Sequence, residues 1–591
     1  MGLNTTTGRF TYSGTNPWIS ALLWGGAWTA TSGTQAIVVD YVLRSGVDPL
    51  GFSGVSSGDP WSPAERAAVA SVMEAWSAVA DIEIRETSDP DIADIWYWQG
   101  RESEVQALGW HEVPDASTTT EPVYGVFAYD GQGWTTTGLM PGGYGFLTLL
   151  HEVGHGMGLA HPHDTGGTST VFPGVLAPYD DYGDHDLNQG VFTIMTYNDG
   201  WITEYPDHAV WLGDEDWGYP ATPMALDIAA IQEIYGPNTT HAGSDDLYAL
   251  PLVNASGTGW RGIWDTGGTD TISADGSTRD TTIDLRAATL EGAGAGGWPS
   301  YAEEVVGGFT IANGVAIEVA MGGAGDDTIT GNVLANTLEG AGGADRLAGL
   351  GGDDTLDGGA GDDTLLGGAG NDRLEGGTGA DHFDGGPGRD TVSYDSATRS
   401  VRVDLLNDAL MYGDAVGDTF VDIEVFRTRG TVDQLRGDDG DNEFYTGGLS
   451  DRLYGRRGDD SLFGQEGADA FYGGLGADVM TGGAQEGRRD RYIYFNIAES
   501  RPGDGRRDVI TDFVAGEDRI EISRFDADTT QGFKQRFDFI GDVDFTSAGQ
   551  LGYRHEGGAT IVQADVDGDG AADFEVELSG VLVLTADDFL I

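Results

Sequence analysis

A nine-residue repeat begins at residue 322 and constrains the fold more than any other feature of the sequence. Successive copies read GGAGDDTIT, GLGGDDTLD and GGAGNDRLE. The eighth position is apolar in every copy within residues 322–393, as Ile329, Leu338, Leu347, Leu356, Leu365, Leu374, Phe383 and Val392. A flexible glycine-rich linker would not keep an apolar residue at one fixed position. The repeat therefore predicts a stack of short coils that each bury one apolar side chain.

The sixth position of the repeat is acidic in nearly every copy. In residues 322–393 and in a second block, 431–487, these aspartates are Asp327, Asp345, Asp354, Asp363, Asp372, Asp381, Asp390, Asp451, Asp460, Asp469 and Asp478. Stacked coils bring such carboxylates close together, and their repulsion disfavours folding. Calcium takes roughly six to eight oxygen ligands and can bridge adjacent turns. We therefore predict that these aspartates bind several structural Ca²⁺ ions.

The repeat resembles the nonapeptide of the RTX family, the calcium-filled parallel β-roll. Members of that family leave the cell unfolded through a type I exporter that reads an uncleaved C-terminal signal, and they fold in external calcium. The resemblance implies an exporter as partner and an extracellular location. The final residues, DDFLI, are similar to the acidic and then apolar ending that such exporters read. The N-terminus lacks the basic start and apolar core of a secretory signal, which is compatible with this route.

Charge and cysteine content exclude several classes of function. The formal net charge is −67, with 97 acidic residues against 30 Lys and Arg, which argues against nucleic acid and anionic membranes as partners. The sequence contains no cysteine, so neither disulfides nor thiolate metal sites can form. No apolar run approaches about 18 residues, and we predict no membrane span.

The segment HEVGHGMGLAH holds three of the ten histidines of the chain. His151 and His155 are four residues apart and hence lie on one face of a helix. Gly158 allows the helix to end, so that the chain can return His161 to the same point. Three neutral imidazoles with an open fourth position describe a catalytic zinc site. Glu152 can accept a proton from water there without binding the metal.

This pattern, H-E-x-x-H-x-x-G-x-x-H, resembles that of the metzincin proteases. That family places a methionine in a tight turn beneath the zinc, and Met195 within TIMTY fits this position. Tyr197 matches the tyrosine that astacin-like and serralysin-like members use as an extra, displaceable zinc ligand. The serralysins are the metzincins that carry β-roll repeats, and the chain is similar to them over most of residues 18–395. The resemblance implies that Glu152 is the general base and that Tyr197 donates a hydrogen bond to the oxyanion.

We expect a multidomain chain with an α/β metzincin catalytic domain, a calcium-binding parallel β-roll and an all-β C-terminal region. The expected parts are a short pro-segment (1–17), the catalytic domain (18–240), a β-rich connection (241–321), the first roll block (322–393), a β-rich connector (394–430), the second roll block (431–487) and a C-terminal β domain with the secretion signal (488–591). Within the catalytic domain, Ser62–Glu65 is typical of a capping box, and helices are predicted over 146–159 and 225–234.

The resemblance implies a secreted zinc endopeptidase that acts on proteins or peptides, with one catalytic Zn²⁺ and several structural Ca²⁺. It also implies a proteinaceous protease inhibitor as a further partner. A second hypothesis is a calcium-dependent surface or adhesive protein with an incidental protease-like domain. The intact set of His, Glu and Tyr residues argues against that hypothesis. A third is a different repeat-bearing hydrolase, such as a lipase.

Several weaker signals leave alternatives open. For His163 and Asp164 we favour a solvated loop over a role behind the zinc ligands. We expect an extended substrate to lie along an edge strand and predict residues 124–129 for that strand. Residues 565–573, DVDGDGAAD, have EF-hand-like spacing without the final glutamate, so a calcium turn and an acidic hairpin are equal alternatives. An acidic tract in residues 164–192 leaves the substrate preference open.

Overall fold

The computed structural model describes residues 5–30, 36–48, 51, 55, 58–114, 122–201, 203, 215–483 and 488–591. These residues belong to two units, Met1–Thr330 and Gly331–Ile591. In the described part of the chain, the α-helices all lie in the first unit, while the second is built from strands and turns.

The helices of the first unit begin and end close to the predicted positions. Their bounds are α1 Pro17–Ala21, α2 Pro63–Val79, α3 Glu102–Val105, α4 Tyr144–Gly156 and α5 Ala225–Tyr235. The capping box of α2 is confirmed, since the Ser62 hydroxyl accepts the Glu65 N–H at 3.3 Å and the Glu65 carboxylate accepts the Ser62 N–H at 2.5 Å. The Trp76 indole of α2 donates to the Leu150 carbonyl of α4 at 3.3 Å. This contact fixes the two helices against each other.

A five-stranded sheet packs against α2 and α4. The strands of this part are β1 Thr5–Arg9, β2 Gly26–Ala30, β3 Val38–Leu43, β4 Glu83–Glu86, β5 Ile95–Gly100, β6 Gly109–His111 and β7 Val123–Ala128. β1 and β2 form a separate antiparallel pair. The order in the sheet is β4-β3-β5-β7-β6, and only β6 runs antiparallel to its neighbour.

The prediction that residues 124–129 form an edge strand is wrong. β7 pairs with β5 on one side and with β6 on the other, and β6 stands at the end of the strand order. All six residues of β7 are buried, as is typical of an interior strand. The two edge strands of this sheet are therefore β4 and β6.

The remaining strands of the first unit are short. They are β8 Leu247–Ala249, β9 Trp260–Ile263, β10 Thr271–Ser273, β11 Thr281–Asp284, β12 Ser300–Ala302, β13 Gly308–Ile311, β14 Val319–Met321 and β15 Thr328–Thr330. β8, β10 and β14 form one parallel series, and β9, β13, β12, β11 and β15 follow one another in a second sheet.

The first strands of the second unit form stacked parallel coils, as the repeat predicts. They are β16 Thr337–Gly342, β17 Arg346–Gly351, β18 Thr355–Ala360, β19 Thr364–Ala369, β20 Arg373–Thr378, β21 His382–Asp384 and β22 Thr391–Tyr394. Alternate strands pair in parallel, so that Leu338 lies opposite Leu356 in one sheet and Leu347 opposite Leu365 in the other. These four leucines are 0% exposed and form the core of the coils.

Residues 394–483 continue this arrangement. Their strands are β23 Arg402–Asp404, β24 Thr419–Val421, β25 Val425–Thr428, β26 Gln434–Arg436, β27 Glu443–Tyr445, β28 Gly448–Leu449, β29 Arg452–Arg457, β30 Ser461–Phe463, β31 Glu466–Gly467, β32 Ala470–Leu475 and β33 Val479–Thr481. β24 pairs with β21 and β25 with β22, while β23 begins a new parallel series with β26, β29 and β32. Within that series Leu453 lies opposite Phe471, both fully buried.

The C-terminal strands are β34 Arg491–Ile493, β35 Asp508–Ile510, β36 Arg519–Glu521, β37 Asp538–Gly541, β38 Gln550–Glu556, β39 Ala559–Asp565, β40 Phe574–Leu578 and β41 Phe589–Leu590. β38, β39 and β40 form an antiparallel meander, and β40 pairs in parallel with β35. Short 3₁₀ turns elsewhere span Asp184–Asp186, Gly292–Gly294, Asp408–Leu410, Gly413–Ala415 and Ala586–Asp588.

The predicted β-rich chain with long parallel series is confirmed, and helices are few. None of the helices in the described ranges is both long enough and apolar enough to cross a bilayer.

Candidate active site and metal-binding turns

The three histidines of the sequence motif converge at the end of α4. His151 and His155 lie on the helix, which ends at Gly156. Gly158 then takes a φ of 107°, and a Cβ there would stand 2.4 Å from the carbonyl oxygen of Gly26, so glycine is required. The chain turns back and brings His161 Nε2 to 3.2 Å from His151 Nε2 and 3.0 Å from His155 Nε2.

The hydrogen bonds of the imidazoles define their protonation. His151 Nδ1 lies 2.7 Å from the Ile194 carbonyl oxygen, and His155 Nδ1 lies 2.9 Å from that of Leu159. Because a carbonyl only accepts, both Nδ1 atoms carry the proton and both Nε2 atoms present a lone pair. Burial lowers the pKa of His151 and His155 to about 3 and that of His161 to about 4, so all three are neutral. Converging lone pairs repel one another, and a cation such as Zn²⁺ fits this donor set.

Asp164 is not the solvated loop residue that the sequence suggested. Its Oδ2 lies 2.7 Å from Nδ1 of His161, and its side chain is only 30% exposed. A carboxylate in this position fixes the tautomer and the ring orientation of a metal-binding histidine. The neighbouring His163 ring stacks on His161, with 5.0 Å between centroids. The prediction of a loop pair in water is therefore wrong for Asp164.

Met195 lies beneath the histidines, fully buried. A Cβ at Gly154 of α4 would stand 2.9 Å from Met195 Sδ, so the helix and this turn are in close contact. Asp227, a buried residue of α5, accepts from the Thr193 hydroxyl at 2.6 Å and from the Ile194 N–H at 2.8 Å. Burial raises the pKa of its carboxyl to about 7. Asp227 thus fixes the segment whose carbonyl orients His151, a role that sequence reasoning missed.

A cleft of about 280 Å³ adjoins the histidines. Its lining residues are Ala107, Leu108, Gly109, Tyr144, Leu147, Thr148, His151, Glu152, Tyr179, Ile194, Thr196, Tyr197 and Asp199. Burial raises the pKa of the Glu152 carboxyl to about 8 and that of the Tyr197 hydroxyl above its usual range. The Tyr197 hydroxyl lies 2.9 Å from His161 Nε2, close enough to donate to it. Both predicted catalytic side chains therefore share one cleft with His151.

The repeat aspartates of the second unit show one common geometry. One carboxylate oxygen, Oδ1, accepts the N–H of the residue 18 positions earlier, for example Asp372 from Asp354 at 2.8 Å and Asp478 from Asp460 at 2.9 Å. The other oxygen, Oδ2, is buried without a hydrogen-bond partner at Asp354, Asp363, Asp372, Asp381, Asp390, Asp460, Asp469 and Asp478. Buried carboxylate oxygens without partners are costly. Hard oxygen donors of this kind fit Ca²⁺.

The first repeat aspartate differs from this geometry. Asp327 has protein partners at both oxygens, since Oδ1 accepts the Thr281 N–H and Oδ2 accepts the Gly323 N–H, each at 2.6 Å. Asp451 follows the common geometry, since its Oδ1 accepts the Asp433 N–H at 2.7 Å and its Oδ2 is buried without a hydrogen-bond partner. Asp345 takes part in it as a donor, through its N–H to Asp363 Oδ1 at 2.8 Å. The predicted calcium ligands are thus not equivalent.

Two further carboxylate groups lie outside the repeats. One is a cluster that sequence reasoning missed, in which Asp246, Asp265 and Asp270 bring ligand atoms within 4.8 Å of one another. Oδ2 of Asp270 is buried there without a hydrogen-bond partner. The EF-hand-like segment connects β39 to β40 as a hairpin turn. There both oxygens of Asp565 accept backbone N–H groups, from Gly568 at 2.6 Å and Gly570 at 3.0 Å. Asp565, Asp567 and Asp573 also bring ligand atoms within 4.8 Å of one another, so this hairpin turn fits both predicted alternatives and the calcium turn stays a prediction.

Convergent imidazoles in one unit and parallel coils in the other are typical of a repeat-bearing metalloprotease. The profile of the family described as "Peptidase M10 serralysin C terminal" matches residues 230–444 and 448–591, more than half of the chain. The chain therefore belongs to the serralysin-like metalloproteases.

Curated relatives carry corresponding names. The chain is 29% identical over 298 residues to "Serralysin" of Photorhabdus laumondii, and the match covers 48% of this chain and 56% of the relative. It is 33% identical over 291 residues to "Serralysin" of Proteus mirabilis, where the match covers 45% of this chain and 53% of the relative. It is 29% identical over 333 residues to "Metallopeptidase AprA" of Pseudomonas marginalis, where the match covers 53% of this chain and 64% of the relative. The chain thus spans between half and two thirds of the length of these relatives.

One solved structure also has a similar region. It is the solution structure of the AlgE6R3 subunit from the Azotobacter vinelandii mannuronan C5-epimerase, 24% identical, which covers 28% of this chain and 78% of that one with a TM-score of 0.18. That score is too low to bear on the fold.

Proposed function

We propose that the chain is a secreted zinc-dependent endopeptidase that hydrolyses internal peptide bonds of proteins. One observation carries this proposal: Nε2 of His161 lies 3.2 Å from Nε2 of His151 and 3.0 Å from Nε2 of His155, and His151 lines one cleft with Glu152 and Tyr197. Membership of the serralysin-like family supports it. His151, His155 and His161 would hold the zinc ion.

Each group of the cleft has a role in the proposed hydrolysis. Bound zinc supplies Lewis acidity, which lowers the pKa of a water and polarises a carbonyl. Glu152 accepts a proton from the attacking water and passes it to the leaving amine. Tyr197 donates a hydrogen bond to the substrate carbonyl oxygen as negative charge develops there. Met195 and Gly158 have structural roles beneath and behind the histidines.

The edge strand β6 is the proposed docking site for an extended substrate. Its first residue, Gly109, lines the cleft, and a Cβ at this position would meet Glu152 Cγ at 2.9 Å. Backbone groups of an edge strand can pair with a peptide. This places the substrate chain along β6 in place of β7.

We further propose that Ca²⁺ ions bind between the coils of the second unit and are required for its fold. Buried Oδ2 atoms without partners support this. The same proposal includes the predicted domain boundaries and the extracellular location. It also includes two partners, the type I exporter and a proteinaceous inhibitor. Membership of the serralysin-like family supports the extracellular location.

The alternatives predict different behaviour. A calcium-dependent adhesive protein with an incidental protease-like domain would have no peptidase activity. A lipase would need a strand-to-helix elbow at its Gly-x-Ser-x-Gly motif. The sequence contains this pattern at residues 54–58, GVSSG. Three of these five residues lie outside the described residues, so the lipase hypothesis rests on the sequence pattern alone.

Casein digestion tests the proposed function. The calcium-loaded protein should cleave casein, 1,10-phenanthroline should stop the reaction and added zinc should restore it. Glu152→Gln should keep its zinc and lower turnover by about 10²- to 10⁴-fold, because only the base is removed. Glu74→Gln, an exposed change on α2, is the matched control. Turnover near the wild-type rate in Glu152→Gln would contradict the mechanism.

A further inference from the structure

The cleft beside the histidines contains a carboxylate that the proposed hydrolysis does not use. Asp199 is half-buried and lines the cleft together with Glu152 and Tyr197. Among the described residues, no hydrogen bond or ion pair engages its side chain. The segments outside the described ranges contain no lysine or arginine. The chain therefore supplies no lysine or arginine partner for this negative charge.

The walls around Asp199 suit a long side chain with a cationic end. Tyr144, from the start of α4, and Tyr179 and Tyr197 place aromatic rings in the cleft, and Leu147 adds an apolar surface. Aromatic faces attract ammonium and guanidinium groups. The aliphatic stems of lysine and arginine pack on apolar surfaces while the charged end reaches a polar partner.

The acidic tract between the zinc motif and Met195 contributes one of these walls. The Tyr179 ring stacks on Tyr197, with 5.2 Å between centroids and an interplanar angle of 18°. Asp180 takes a φ of 56°, and its N–H donates to Asn198 Oδ1 at 2.9 Å. The Asn198 amide in turn donates to the Asp181 carbonyl at 3.0 Å. Since Asn198 stands between Tyr197 and Asp199, this turn and the carboxylate are held in one fixed arrangement.

We propose that the cleft selects a lysine or arginine side chain next to the bond to be cleaved, with Asp199 as its ion-pair partner. The inference rests on the proposed endopeptidase function and names its substrate preference. A cationic side chain would neutralise a partly desolvated carboxylate that has no hydrogen-bond or ion-pair partner among the residues that the structure describes. Glutamate at the same substrate position would meet two carboxylates, Asp199 and Glu152, and should be rejected.

Matched peptides test this preference. One sequence is made with lysine, arginine, norleucine or glutamate at each position that flanks the cleaved bond; norleucine keeps the apolar stem of lysine and lacks its ammonium group. In wild type, kcat/KM for the lysine peptide should exceed that for the norleucine peptide about tenfold. In Asp199→Asn the ratio should fall to near one. Asp186→Asn removes the same charge from an exposed position with a φ of 59° and should keep the wild-type ratio.

A binding measurement separates this preference from catalysis. Zinc-loaded Glu152→Gln should bind the lysine peptide more tightly than the norleucine peptide by calorimetry, and adding Asp199→Asn should remove the difference. Equal kcat/KM for lysine and norleucine peptides in wild type, or an unchanged ratio in Asp199→Asn, would overturn this inference and leave the endopeptidase function intact. Failure of wild type to cleave any peptide would overturn the proposed function, and this inference with it.

Discussion

The histidine site of the first unit and the repeat turns of the second both gather metal-binding atoms, but they hold them in different ways. His151 and His155 are each oriented by a backbone carbonyl of their own unit. In the repeats, Asp372 is oriented by the N–H of a neighbouring coil, Asp354, and its second oxygen is left buried without a partner. The histidines are thus arranged independently of the metal, whereas the carboxylates meet only when the coils are stacked. Metal binding should be local in the first case and coupled to folding in the second.

Calcium removal should produce the largest difference between the two regions. In the full chain with EGTA, we expect residues 337–483 to lose their amide protection, because repulsion between stacked carboxylates is no longer compensated. Amides of α4 should stay protected, since its contacts do not depend on calcium. Hydrogen exchange with mass spectrometry measures both regions in one sample. Magnesium should restore little protection, because it requires a tighter octahedral shell. Full protection of the coils in EGTA would contradict a calcium-dependent fold of the second unit.

Loss of a zinc ligand should have a large but local effect. His155→Ala should lose most of its zinc, while the calcium-dependent protection of the coils stays unchanged. The measurement is metal content after dialysis, together with hydrogen exchange. His241→Ala changes an exposed histidine and should retain zinc. A full zinc complement in His155→Ala would show that the histidine cluster is not the metal site.

Asp164→Asn should have a smaller effect on the same site. The amide keeps the shape of the side chain but lacks its negative charge. In the wild-type chain the Asp164 Oδ2 atom lies 2.7 Å from His161 Nδ1. We expect zinc affinity to fall by about 10- to 100-fold, as is usual for such partners. Competition with a chelator measures the affinity, and Asp186→Asn is the control. An unchanged affinity would mean that the backbone alone orients His161.

The smallest effect is expected for one carboxylate of the coils. Asp363→Asn keeps the acceptor for the Asp345 N–H and removes one buried charge. In saturating calcium it should destabilise the second unit by about 1 kcal/mol, because the loss of a ligand outweighs the removal of one repulsive charge. Urea unfolding in saturating calcium measures this change. Asp362→Asn, the exposed neighbour, should leave the stability unchanged. Equal responses of the two variants would contradict a special role for the sixth position.

Features that depend on local or periodic sequence were predicted correctly. The fixed apolar position predicted that Leu347 and Leu365 are buried and stacked. The spacing of the histidines predicted that their Nε2 atoms converge. Each of these inferences needs only the period of a helix or of a coil, which the sequence displays directly.

Features that depend on distant partners were not predicted. Asp227 acts on a segment more than thirty residues earlier in the chain, at Thr193 and Ile194. β7 was assigned to an edge because the short strand β6, only Gly109–His111, carries no strong strand pattern. Asp164 was assigned to solvent although its partner His161 is only three residues away, because the sequence does not display the turn that brings them together. Tertiary contact decides the first two cases and a local turn decides the third, and no sequence period encodes either.

The hydrogen bonds between aspartates also determine the order in which the coils can be completed during folding. Each links an amide to a carboxylate that comes later in the chain, from Asp451 to Asp469, on to Asp490 and then to Asp518. No coil of this series is therefore complete before the next one has been made. A chain that emerges N-terminus first therefore has an incomplete last coil at every stage until the residues around Asp518 have joined. Deletion of residues 488–591 should accordingly weaken amide protection most at β32 and β33, and progressively less toward β16.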